Sequence, residues 1–368
     1  MMNLINETLL TVLELAMRIS MQQHLLEAIT AVGMTLGIFG NVNVIVAICR
    51  KKILRTKGAM FVMVLAMTHL VCNISEVVGL IFHFRFRPMS RKTCFEYNVL
   101  YCFAVMFQSA LFLSMALDIC FSILLPIKHM IWKKRNYVTA MCLFPTIFAI
   151  STTLVSFLFI PDEETPYCIF MLTTDIRIYQ MVSSSLIVLN TLTLIIIIFS
   201  VICAVRKSEN MRGSRHSSGS RTNSLREEKN KVFRSTFFLV LIYIISWWSV
   251  VIIFRIMVEF IHDVHEVVQY MPYLVIIVMP NFCQAYYVTY HRSPRFRKAF
   301  REQFNWMTCG YAFPKIFDKE RSRGSKHGSA TNSANGPQAH TDSDVKKKIP
   351  NGSQKSIRFS VTGIQADV

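Results

Sequence analysis

Few residues in this chain have the type and spacing that catalysis or metal binding requires. His262-Asp263-x-His265 is the only compact group of ligating side chains, and no further ligand stands near it in the sequence. None of the ten cysteines belongs to a C-x-x-C pair or a zinc-type spacing. The residues that stand out are polar groups inside apolar runs: Asn41, His69, Gln108, Glu76, Asp118 and Arg255. A polar group in hydrocarbon is costly, so it turns toward the inside of a helix bundle and becomes a functional candidate. This pattern points to recognition rather than catalysis, with no cofactor and no metal.

The elements that must hold these residues follow from composition. Of 368 residues, 52% are hydrophobic and only 17% are charged, where a soluble domain carries about 25% charge. The apolar excess lies in blocks separated by short basic segments. That excludes an ordinary cytosolic enzyme, a fibrous protein and a disordered chain. About 20 apolar residues cross a hydrocarbon core of about 30 Å. Seven such spans are predicted, at 28–49, 59–82, 96–125, 137–160, 178–205, 233–257 and 268–290. The fold expected is an all-α seven-transmembrane bundle. The formal charge of +18 sits between and after the blocks, so its partner is membrane lipid and not nucleic acid. The first charge, Glu7, follows no basic segment, and Glu14 and Arg18 break any apolar signal core. The first span is therefore expected to act as its own insertion signal.

Seventeen Lys and Arg residues follow spans one, three and five, against six on the opposite side. This bias predicts cytoplasmic odd-numbered loops, an extracellular N-terminus and a cytoplasmic C-terminus in the plasma membrane. The domains read from this are an extracellular segment 1–27, the seven-span unit 28–290, an amphipathic helix 293–306 and a disordered cytoplasmic tail 307–368. Asn6-Glu7-Thr8 is a glycosylation sequon on the predicted outer side. Cys94 and Cys168 fall on that same oxidising side. They read as a disulfide tying span three to the loop above the bundle, or as two separate thiols.

His69 stands ten residues into span two, near the midplane at 1.5 Å per residue. Its imidazole is expected to hydrogen-bond Gln108 or Asn41, either as packing polarity or as a pH or ion sensor. Asp118 lies near the cytoplasmic boundary, where Lys128 or Arg135 is the expected partner, or solvent. Glu76 is in the outer third of span two. Arg255 and Glu259 share a helix face at i,i+4. Arg255 and Glu259 either neutralise one another or form, with Glu76, Tyr270 and Tyr273, the outer mouth of a ligand site. Ser293 and Pro294 read as an N-cap and first turn. Phe296, Phe300 and Phe304 among basic residues make the amphipathic helix, and Cys309 after it is a palmitoylation candidate.

With these motifs in view, the chain resembles a rhodopsin-like (class A) G-protein-coupled receptor from residue 28 to about 306. Gly40-Asn41-x-x-Val44 is similar to that family's G-N-x-x-V signature, and Leu65-Ala66 to its L-A-x-x-D. Asp118 follows Cys94 by 24 residues and leads to Ile123 and Pro126, as in D-R-Y-x-x-I-x-x-P. The run "ILLPIKH" and the "NF" of span seven resemble nematode serpentine chemoreceptors such as the Srsx type. The resemblance implies an extracellular ligand, a small chemical or a peptide, in the outer half of the bundle. It implies a heterotrimeric G protein inside, Tyr101 at a ligand-contact position and Trp247 at the pivot of span six. It also implies a G-protein contact near the basic segment 226–234. The departures are specific. His69 replaces the family's acid in span two. Ile119 and Cys120 replace the Arg and Tyr of D-R-Y. Ser249 replaces the span-six proline, and Pro280-Asn281 reverses N-P. A sodium site and the arginine contact to a G protein therefore lack their residues. The alternatives are a channel or transporter using Asn41, His69, Gln108, Asn190 and Asn281 as a polar path, or a receptor-like protein not coupled to a G protein.

Overall fold

The computed structural model describes residues 2–83, 89–165, 168, 173–212, 237–261 and 264–308, with side chains from residue 21 onward except 23, 80–83, 207–212, 264, 265 and 268. Seven helices are long and apolar enough to cross a membrane: His24–Arg50, Lys57–Gly79, Arg91–Leu124, Lys134–Leu158, Ile176–Arg206, Phe237–Phe260 and Gln269–Arg292. These are called spans one to seven. Each expected span has its helix, displaced by a few residues at the ends. The first helix is longer than its span and starts at Met2. Pro145, Pro272 and Pro280 all lie inside helices, where neighbouring helices can satisfy the carbonyls they free.

Span three is the axis. It is buried over most of its length and packs on spans two, four and five. Span one packs on spans two and seven. Small residues make that approach possible. A Cβ on Gly40 would lie 2.8 Å from the Cβ of Tyr286 in span seven, and one on Gly37 would lie 2.7 Å from Oδ1 of Asn73 in span two. The glycine beside Asn41 is thus a packing requirement, because helices in lipid associate through close backbone approach.

One end of the bundle is closed by a short sheet and a disulfide. Strand β1 (Met89–Ser90) pairs antiparallel with β2 (Glu164–Thr165), with Met89 opposite Thr165. Arg91 continues this contact: its N–H donates to Glu163 O at 2.9 Å, and its Nη2 lies 3.0 Å from Glu163 Oε2. Ser90 caps span three by accepting from Thr93 N–H at 3.1 Å. Cys94 and Cys168 are disulfide-bonded, which settles the two readings of that pair.

The opposite end carries a helix from Pro294 to Met307. Pro294 opens it as expected. Ser293 holds the N-cap position, but its side chain makes no capping bond. Arg297 instead reaches back, donating from Nε to Tyr290 O at 3.2 Å and from Nη2 to His291 O at 2.8 Å. Phe296 and Phe300 are buried, whereas Phe304 is 41% exposed. Lys51 and Glu302, 2.6 Å apart, tie this helix to the loop after span one.

Candidate functional site

Span six has an unusual middle. Residues Ile244–Trp248 form a π-helical turn inside an otherwise α-helical span. A π turn widens the backbone and is one of the few features that bend a helix. It occupies the stretch just before Ser249, where a proline would otherwise supply the kink. Two side chains anchor the turn. Tyr243 lies 2.8 Å from both Ser109 Oγ and Asn190 Oδ1. Its single proton goes to the amide oxygen, which can only accept. Its ring stacks on Phe112 at 3.9 Å between centroids. Spans three, five and six are thus joined at one buried phenol.

Trp247 is the other anchor, 2% exposed, 6.2 Å from the ring of Phe282 in span seven. It forms a wall of a narrow cavity of about 30 Å³ between spans three, four, five and six. Val105, Met106, Val182, Leu186 and Val251 supply the other apolar walls, and Ser156, Thr174, Tyr179 and Ser183 the polar ones. Arg255, one turn beyond Val251, donates from Nη1 to Ser183 Oγ at 3.1 Å.

Of the residues expected at the ligand site, Glu76, Tyr101, Trp247, Arg255, Glu259, Tyr270 and Tyr273, Trp247 lines this cavity and Arg255 stands beside it on Ser183. The Arg255–Glu259 pair that the i,i+4 spacing allows does not form. Among the described residues no carboxylate lies within 4.0 Å of Arg255, and Glu259 is exposed. The long arginine chain turns to the facing hydroxyl of span five instead of along its own helix. Glu76 and Tyr101 interact with each other between spans two and three and do not line the cavity. Tyr270 and Tyr273 are 45% and 47% exposed, so they face outward from the bundle.

The midplane polar residues converge as their depth implied, with different partners. Asn41 donates from Nδ2 to Phe282 O at 2.9 Å, and Asn73 from Nδ2 to His69 O at 2.8 Å. His69 is fully buried with its ring edge-on to Phe282. Neither ring nitrogen has a hydrogen-bond partner, and Gln108 faces the ring outside bonding geometry. The expected His69–Asn41 bond is absent: Asn41 gives its Nδ2 to the carbonyl of Phe282, and its Oδ1 has no partner among the described residues.

At the other end Asp118 has a partner that the charge pattern did not indicate. His129 Nε2 lies 2.8 Å from Asp118 Oδ1. Lys128 and Arg135 are exposed. The reason is local. Pro126 starts a six-residue helix, Pro126–Ile131, whose turn carries residue 129 back toward span three. Lys57 donates to His129 O and lies 4.6 Å from the ring centre of Tyr137. Tyr137 stacks on Trp132 and meets His129 edge-on. Ile119, 5% exposed, is packed as an apolar core residue.

The side chains of Asn6 and His265, and residues 226–234, His262, Asp263 and Cys309, lie outside the described residues. Sequence reasoning missed Ser183 and His129. Ser183 sits in a run of three serines, each able to bond its own helix. His129 is one loop residue among several basic ones.

The family model described as serpentine type 7TM GPCR chemoreceptor Srsx matches residues 34–304. No curated protein matches the chain.

Proposed function

The chain belongs to the Srsx family of serpentine-type seven-helix GPCR chemoreceptors, and on that premise we propose that it binds an extracellular ligand in the cavity beside Trp247 and signals to a heterotrimeric G protein. The disulfide end is the extracellular one in this reading, since oxidation and the sparse basic charge both favour that side. The plasma membrane is the compartment where such a ligand is met.

The observation that carries the proposal is the shared wall. Trp247 lines the cavity and also belongs to the π turn of span six. A ligand that prefers a different setting of Trp247 shifts the balance between two packings of that span. The Tyr243–Asn190–Ser109 junction lies one turn further toward the cytoplasm and responds to the same movement. Outward displacement of the inner end of span six then opens a groove beside the Asp118–His129 pair.

A second reading, a receptor-like protein without G-protein coupling, has one specific observation behind it: Ile119 offers no donor at the position where the resemblance calls for arginine. The same experiment addresses both. A panel of small chemicals and peptides is applied to cells expressing the chain, read by cAMP and calcium. A responding ligand should lose its effect in Val182→Phe, which fills the cavity, at equal surface expression. A response that survives this substitution places the ligand elsewhere. An epitope tag before Met1 should label on intact cells, and a tag after Val368 only after permeabilisation.

A further inference from the structure

Arg255 is a permanent cation in an apolar span, and its one hydrogen bond to a described residue goes to a neutral hydroxyl. A guanidinium has five donor hydrogens and matches a carboxylate with two parallel bonds. Hydrocarbon makes such a charge costly unless an anion or polar groups meet it. Ser183 and Tyr179, the two span-five residues beside the arginine, both line the cavity. The remaining walls are mainly aliphatic and the space is narrow. Resting on the reading of this cavity as the ligand site, we infer that the receptor recognises a small carboxylate with a short apolar tail. The carboxylate lies on Arg255 in place of, or beside, the Ser183 hydroxyl. The tail lies among Val105, Val182, Leu186 and Val251, against Trp247.

Glu259 does not cancel this charge, because it is exposed and unbonded to the arginine. Amine ligands are disfavoured by the same cation. Size is limited by the indole of Trp247, which closes the cavity on the side of the π turn. A longer tail has to move that indole, which gives the site a means of converting ligand length into displacement of span six.

The test does not depend on the identity of the natural ligand. Val251→Cys places a thiol in the cavity wall one turn deeper than Arg255 on the same helix face. Intact cells are treated with two membrane-impermeant methanethiosulfonates, one bearing a sulfonate and one a trimethylammonium group. Each labelling rate is normalised to that reagent's rate with free cysteine, and the chain without Val251→Cys gives the background. The sulfonate reagent should react about fivefold faster or more after normalisation, because a fixed charge in a cleft concentrates its counter-ion. Adding Arg255→Gln should abolish the preference, whereas Arg255→Lys, which keeps the charge and guards against a folding artefact, should retain it. Propanoate, small enough for so narrow a space, should slow the labelling and propanamide should not. Charge-blind labelling overturns the carboxylate while leaving an external cavity in place, and so does protection that is absent or equal for the two probes. Labelling by neither reagent overturns the external cavity itself and the inference with it.

Discussion

Arg255 lies toward the disulfide end of the bundle and Asp118 toward the opposite end, and the two charges are met in opposite ways. The arginine is met by a neutral hydroxyl from a facing span. The aspartate is met by His129 from the adjoining loop, with Lys57 bonded to the same histidine's carbonyl. A charge whose partner is built into the chain is part of the fold. A charge met, among the described residues, by a neutral group keeps its attraction for something that arrives from outside. In the proposed reading, recognition belongs to the Arg255 half and loop organisation to the Asp118 half, with the π turn of span six between them.

The strongest way to break this contrast is to open the outer end. Cys94→Ala or Cys168→Ala removes the bond that ties the segment after β2 to span three. Loss of a native disulfide costs about 2–5 kcal/mol in small secreted domains. Surface expression should fall sharply and equally in the two variants, and the double variant should be no worse. Clearly additive losses would show that the two cysteines act separately.

The Asp118–His129 pair gives the next largest effect. The two side chains are only 13% and 18% exposed, and leaving one partner unpaired costs roughly 1–3 kcal/mol. Asp118→Asn and His129→Ala should each lower the thermal midpoint of the purified chain. The double variant should lose less than the sum of the two, which is the signature of direct coupling. Full additivity would show that the pair is incidental. The smallest effect is expected at the junction between the halves. Tyr243→Phe deletes one hydroxyl bonded to Asn190 and lying against Ser109, worth about 0.5–1.5 kcal/mol. Its thermal midpoint should fall by a few degrees, and an unchanged midpoint would remove the junction from the account.

The division between what was legible in the sequence and what was not has a physical basis. Span number, the disulfide and the amphipathic helix rest on hydropathy, charge bias and residue period, which are one-dimensional signals. The depth of His69 was readable from a rise per residue, but its lack of a hydrogen bond was not, because bonding depends on how the packed helices turn each side chain. Asp118–His129 depends on the turn that Pro126 starts, and two nearby cations looked like better partners. Arg255 found Ser183 rather than Glu259 because the facing helix is closer to its guanidinium than the next turn of its own. The π turn has no local signature, since it is the packing of Tyr243 and Trp247 on three neighbours that widens the helix.

The proposed signalling to a G protein runs through an end of the bundle in which Ile119 stands where class A receptors carry the donor. In the resemblance to class A receptors, that donor bonds its neighbouring acid at rest and meets the G protein when active. Here His129 supplies the first contact and nothing in the described residues supplies the second. Nucleotide exchange by a purified heterotrimer, measured in membranes carrying wild type or Ile119→Arg at matched surface density, tests this directly. Wild type should give exchange above receptor-free membranes, and the arginine variant should raise it several-fold, since about 1.4 kcal/mol corresponds to a factor of ten. Exchange by the arginine variant equal to or below wild type, or no exchange above receptor-free membranes for either form, would contradict the account.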